Sequence, residues 1–285
     1  MKKGKKKSGF SEVMGRLKKN RLAMAGLIFL IFMILVSIFA PWIAPYGYET
    51  QDLYNMFALP SAEHLFGTDN LGRDIFSRII YGGRASLTIG FASVIVAAIF
   101  GMTLGAIAGY YGGKVDMVIM RILDVFQAVP AILMSIAISA TLGPGLFNAI
   151  LAIGLSMIPG YSRMTRASFM SVQGMEYIEA ARAIHCGDRR IMLRHVLPNA
   201  ISPMIVQMTM GVGSCISVAA MLSFIGLGVQ PPSAEWGAML SAGRNYIRDY
   251  WHIVLFPGLA IMLTVLSLNM LGDGLRDALD PRLKN

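Results

Sequence analysis

The chain has 285 residues, 55% hydrophobic and 14% charged, with a net charge of +9. A soluble domain carries about 25% charged residues, so this composition excludes an ordinary soluble enzyme and points to a protein built for a bilayer. No folded basic domain accompanies the positive charge, which argues against a nucleic-acid partner, and the two cysteines, Cys186 and Cys215, have no metal-site spacing and suggest no disulfide.

A basic tail (residues 1–21) leads into the uncharged run Leu22 to Ala40. A spanning helix needs about 20 apolar residues, and the first is predicted over Leu22–Ile43. Its apolar stretch exceeds the usual signal-peptide core of about 7–15 residues, and Pro41 follows Ala40, so it reads as a retained span. Residues 44–85 form a long polar loop. The second helix is predicted over Ser86–Tyr111, where Gly101, Gly105 and Gly109 recur every fourth residue. Such a stripe admits a second backbone, either as internal packing or along a moving pathway.

The run Val125 to Ser162 is broken by Gly143-Pro144-Gly145, a turn signal, and predicts helices over Val118–Leu142 and Phe147–Met164. Arg121 and Asp124 lie one turn apart and are expected to pair at i, i+3, with a gating or relay role as the alternative. A polar, basic loop follows at 165–197. The fifth helix is predicted over Asn199–Ile225 and ends before the turn Gln230-Pro231-Pro232. Trp236, Tyr246, Tyr250 and Trp251 then suit a membrane interface. The sixth helix is predicted over His252–Gly272, closing a core of residues 86–274, with a short tail at 275–285. The expectation is an all-α membrane protein, one compact domain of six transmembrane helices.

Orientation follows the lysines and arginines. With both termini in the cytoplasm, 20 of the 25 fall inside; outside remain Arg73, Arg78, Arg84, Arg244 and Arg248. The N-in, C-in topology follows, and the lysine-rich tail Lys2–Lys7 can also touch anionic lipid.

The catalytic vocabulary is missing. No Gly-x-x-x-x-Gly-Lys-Ser/Thr loop occurs; near Gly112-Gly113-Lys114, Ala108 stands where the first glycine belongs and Val115 where Ser or Thr belongs. There is no convincing nucleophile–base pair and no zinc-type helix signature. Intramembrane ionisable groups, the mark of ion-coupled transport, are scarce. Gln127, Asn148, Gln207 and Asn269 are path-lining candidates, with interhelical hydrogen bonding as the plainer reading. A pathway driven by a separate motor fits this inventory.

The handle for such a motor is the loop. Residues Met175 to Ile184 are helical in pattern, Ala180, Ala181 and Ala183 keep the helix thin, and Glu179 and Arg182 are one turn apart. Gly187 is the expected helix stop, Arg189 to His195 is basic, and Leu197-Pro198 opens the next helix. The plainer reading is a basic surface helix that only enforces topology.

Glu179-Ala180-Ala181, followed at the family spacing by Leu197-Pro198, resembles the coupling loop of ABC-importer permeases. The family glycine falls on His185 and its isoleucine on His195. Arg194-His195-Val196-Leu197-Pro198-Asn199 is similar to the peptide-importer branch. A second block, Gly67-Thr68-Asp69 with Gly72-Arg73-Asp74 and Arg78, resembles the outside segment of the C-type permease of oligopeptide, dipeptide and nickel importers. Leu222 to Gly228, Pro231-Pro232, Glu235-Trp236-Gly237 and Gly272 to Arg282 agree with it.

The resemblance implies a type I ABC-importer transmembrane domain in a prokaryotic cytoplasmic (inner) membrane. It implies no enzyme activity and no bound cofactor in this chain, with ATP and magnesium on partner subunits. Those partners are a second homologous permease, two ABC ATPases, an extracytoplasmic solute-binding protein and the lipid bilayer. The ATPase contact would comprise Glu179, Ala180, Ala181, Arg182, His185, Gly187, Leu197 and Pro198. The block Gly67 to Arg78 would be a gate or binding-protein surface, or else a rigid loop tied by Asp69–Arg73 and Asp74–Arg78 pairs. The cargo would be peptides; nickel or another small solute, a stand-alone secondary transporter and a scaffold without cargo remain rivals.

Overall fold

The computed structural model describes residues 9–279, so the lysine-rich tail and the end of the C-terminal motif lie outside the described residues. The helices are α1 (Gly9–Leu17), α2 (Arg21–Ile38), α3 (Ala40–Ile43), α4 (Ile75–Tyr111), α5 (Gly113–Gln127), α6 (Ala131–Leu142), α7 (Leu146–Gln173), α8 (Glu176–Ala183), α9 (Asp188–Ile191), α10 (Leu197–Phe224), α11 (Trp236–Gly243) and α12 (His252–Leu279). A π turn over Met192–Val196 joins α9 to α10. Among the described residues there is no strand, only a bridge between Thr68 and Asp74.

The first span begins where Asn20 accepts a hydrogen bond from the Ala23 amide at 3.1 Å. Its buried stripe is Ala23, Gly26, Leu30, Met33 and Ser37, at alternating three- and four-residue steps, and it packs on α12 and α4. Leu22, Ile28, Phe32 and Leu35 on the other faces are exposed and apolar, as lipid contact requires.

The second span starts at Ile75, not Ser86, because Asp74 caps it by accepting from the Ser77 amide at 2.7 Å. At 37 residues it covers about 55 Å. Its glycine stripe meets α7: a Cβ on Gly101 would lie 2.6 Å from the Tyr161 Cβ, and one on Gly109 2.8 Å from the Arg166 carbonyl oxygen. Internal packing is therefore what the stripe does, and α4 with α7 is the most extensive helix pair.

The expected third helix, Val118–Leu142, is two helices bent by 79°. Pro130 has no amide to continue the ladder, so α5 ends at Gln127 and α6 starts at Ala131. Four helical stretches are long and apolar enough to cross a membrane, Arg21–Ile38, Ile75–Tyr111, Asp188–Phe224 and His252–Leu279, or up to five if the bent pair is one span. The expected Phe147–Met164 helix lies inside α7, which runs on through Arg163 and Arg166 and is not among those four.

Arg121 does not pair with Asp124. Asp124 instead accepts from Arg163 of α7, and Asp116 holds Arg166 with two hydrogen bonds, one of 2.6 Å. Guanidinium groups on the neighbouring helix are chosen over the arginine one turn away on the same helix. Asn148 of α7 does bond between helices, donating to the Leu142 carbonyl at the end of α6 and to the Gly143 carbonyl beyond it, which closes the α6–α7 turn. Both cysteines are free.

Candidate functional site

Two assemblies sit at opposite ends of α4. At its C-terminal end, α8 and α9 close a small hydrophobic core of their own. Ile178, Ala181, Ile191 and Val196 pack with Tyr110 of α4, Phe169 and Val172 of α7, and Ala200 and Met204 of α10. The segment is thus a docked unit seated on three long helices.

That packing divides the family motif. Ala181 is buried and faces the inner side of the segment. Glu179, Ala180, Arg182, Ala183 and Ile184 are exposed and form the outer face. Arg182 stands 5.8 Å over the Tyr110 ring.

The stop is not Gly187. The helix ends at Ala183, and His185 takes the left-handed conformation with φ of 56°. Its amide bonds the Arg182 carbonyl at 2.9 Å, and the Cys186 amide reaches the Ala181 carbonyl at 3.1 Å. This is the position that favours glycine, which gives the family glycine a physical reason. Gly187, with φ of −62°, caps α9. Leu197-Pro198 opens α10 with Pro198 in its first turn, as expected, but without a break from what precedes it: the π turn Met192–Val196 makes Asp188–Phe224 one continuous stretch.

The other end of α4 carries the loop from Ala44 to Asp74. Thr68, Asp69, Arg73, Asp74 and Arg78 are all buried. Asp69 accepts from the Leu71 and Arg73 amides and pairs with the Arg73 guanidinium at 2.7 Å. The expected Asp74–Arg78 pair is absent. Asp74 faces His64 at 3.0 Å, while Arg78 donates to the Tyr48 carbonyl at 2.6 Å and lies 3.7 Å from Asp69. Asp74 is committed to the cap, so its carboxylate turns away from Arg78. Gly67 and Gly72 have φ of 76° and 69° and sit against the Ala58 and Asp52 carbonyls, where a side chain has no room. These residues build the loop; its exposed apolar groups are Leu53, Tyr54, Met56, Leu59 and Leu65.

Sequence reasoning missed Glu235 as a structural centre. Its carboxylate, 1% exposed, accepts from Ser86 of α4 at 3.0 Å and Ser223 of α10 at 2.7 Å. It also caps α11 by accepting from the Gly237 and Ala238 amides. Trp236 beside it donates to the Ile79 carbonyl at 3.0 Å, and Gly82 and Gly83 leave room for its ring. No sequence signal marked it, because the residues that favour an N-cap are Ser, Thr, Asp and Asn, and Glu is not among them.

Beside the docked segment, between it and the ends of α10 and α12, lies an open cleft of about 630 Å³. Tyr177, Asn199, Ser202, Gln207 and Arg276 give it a mixed polar lining, with Met164 and Val206 among the apolar walls. Of the polar path candidates, Gln207 alone lines this cleft.

Residues 101–285 match the family described as binding-protein-dependent transport system inner membrane component, and residues 8–60 match the N-terminal transmembrane domain of oligopeptide transport permease C. The dipeptide transport system permease protein DppC of Alkalihalophilus pseudofirmus is 51% identical over 98% of this chain and 91% of its own length. The di/tripeptide transport system permease protein DppC of Pseudomonas aeruginosa is 46% identical over 93% of this chain and 90% of its own. The glutathione transport system permease protein GsiD of Escherichia coli is 46% identical over 94% and 89%. Among solved structures, the inward-facing MetNI methionine ABC transporter matches 71% of this chain and 97% of its own, with a TM-score of 0.59 at 18% identity, a likeness of fold. The chain belongs to the binding-protein-dependent transport system inner membrane component family.

Proposed function

We propose that this chain is one permease subunit of an ATP-driven importer of short peptides in a prokaryotic inner membrane. The observation that carries the reading is the docked segment. It presents a thin, exposed face of Glu179, Ala180 and Ala183 while its inner face is seated on α4, α7 and α10. A surface helix that only enforced topology would need no such seat.

A second, homologous permease completes the path, and two ATPase subunits hold the two docked segments and hydrolyse ATP. The charge distribution puts this end of the bundle in the cytoplasm. A solute-binding protein delivers cargo to the other end, where Leu53, Tyr54, Met56, Leu59 and Leu65 offer the exposed surface. The relatives' names, dipeptide, di/tripeptide and glutathione permeases, support peptides as cargo. Nucleotide and binding protein drive the cycle only through different affinities for inward- and outward-open states.

The test uses the exposed face, since Ala181→Trp would disturb the segment's own core. Glu179→Lys and Ala180→Trp are expected to abolish co-purification with the ATPases and ATP-dependent dipeptide uptake into proteoliposomes. Normal values for both variants would sink the reading. So would ATP-independent uptake by this chain alone under an ion gradient.

A further inference from the structure

We propose that the Tyr110 hydroxyl is the positioning group that ties the docked segment to α4, so that motion of the segment is carried along α4 to the opposite end. This deepens the importer reading and rests on it. Tyr110 is the last but one residue of α4 and is 7% exposed. Its hydroxyl donates to Asp188 Oδ1 at 2.8 Å, at the start of α9, and Arg182 of α8 stands over its ring. Its carbonyl accepts from Gln173 Nε2 of α7 at 2.6 Å. One side chain therefore reaches both short helices of the docked segment, and its backbone is fastened to the helix that leads into it.

What α4 does beyond Tyr110 makes this a transmission point. The glycine stripe locks α4 against α7, leaving no slack between them. Its other end is fastened at several places: Asp74 caps it, Arg78 binds the Tyr48 carbonyl, Arg84 donates to the Ser37 and Ile38 carbonyls at the end of α2, and Ser86 binds Glu235. A helix held at both ends passes displacement along its axis, whereas the apolar contacts of the docked segment can slide. The directional bond is the Tyr110–Asp188 one.

The experiment is done on the assembled complex in proteoliposomes with binding protein, dipeptide and ATP. Tyr110→Phe keeps the ring and its apolar contacts and removes only the hydroxyl. It is expected to leave ATPase co-purification and basal ATP hydrolysis unchanged. Dipeptide imported per ATP hydrolysed should fall about fivefold to tenfold, the size of one net hydrogen bond. The double variant Tyr110→Phe/Asp188→Ala should be no worse than Asp188→Ala, because both remove the same bond. A Tyr110→Phe ratio equal to wild type would overturn the proposal. Loss of the ATPases from the Tyr110→Phe complex would overturn it too, since the residue would then build the docking surface itself. Absence of ATP-dependent uptake by the wild-type complex would instead sink the importer reading, and the proposal with it.

Discussion

His185 is a β-carbon forced into a backbone region that glycine occupies at no steric cost. Holding a non-glycine residue there costs about 1 kcal/mol. His185→Gly is therefore expected to raise the thermal midpoint of the purified complex and to leave ATPase docking intact, since the turn geometry is already the one glycine prefers. An unchanged or lower midpoint would show that the imidazole makes a compensating contact. Glu235 is the converse case: a buried carboxylate with four donors and, among the described residues, no cation. Glu235→Gln replaces one acceptor oxygen with an amide that points donors at donors. Leaving buried groups unmatched costs about 1–3 kcal/mol, and a drop in thermal stability of that order is expected, measured by unfolding in detergent. No drop would mean the four bonds contribute little.

At the level of elements, the α4–α7 interface depends on the absence of side chains at Gly101, Gly105 and Gly109. The most severe of the three is Gly105, whose Cβ would collide with the Ser162 carbonyl, a backbone atom that cannot rotate away. Gly105→Ala is expected to cost about 1–3 kcal/mol by overpacking and to reduce the yield of monodisperse protein. A Gly160→Ala control, where nothing lies within 4 Å, should behave as wild type. Equal yields from both variants would mean that α4 and α7 can separate to admit a methyl group. The two guanidinium–carboxylate pairs between α5 and α7 hold along its length a helix that the break at Pro130 separates from α6. They fix α5 through charges on the partner helix, which the i, i+3 spacing of Arg121 and Asp124 did not foretell.

At the scale of the whole molecule, the chain is a helical bundle with a docked segment at one end of α4 and a hydrogen-bonded cap at the other. The uncharged runs located most spans because an apolar side chain in lipid and a polar one in water are decided locally, residue by residue. The same local rule fixed the basic, water-facing character of residues 165–197, and the Glu179-Ala180-Ala181 motif lies in the short helix α8 within them. What sequence could not decide was every choice among competing partners. Asp124 takes Arg163 over Arg121, Asp74 takes the α4 cap and His64 over Arg78, and Ala181 turns inward while Ala180 faces out. The left-handed turn falls on His185 although a glycine stands two residues later, because the end of α8 sets where the turn must come. The sequence by itself determined the membrane character, most of the helical stretches and the place of the polar loop at 165–197. Only the tertiary structure decided which carboxylate met which cation and which face of α8 stayed exposed, because those outcomes depend on distances between segments far apart in the chain.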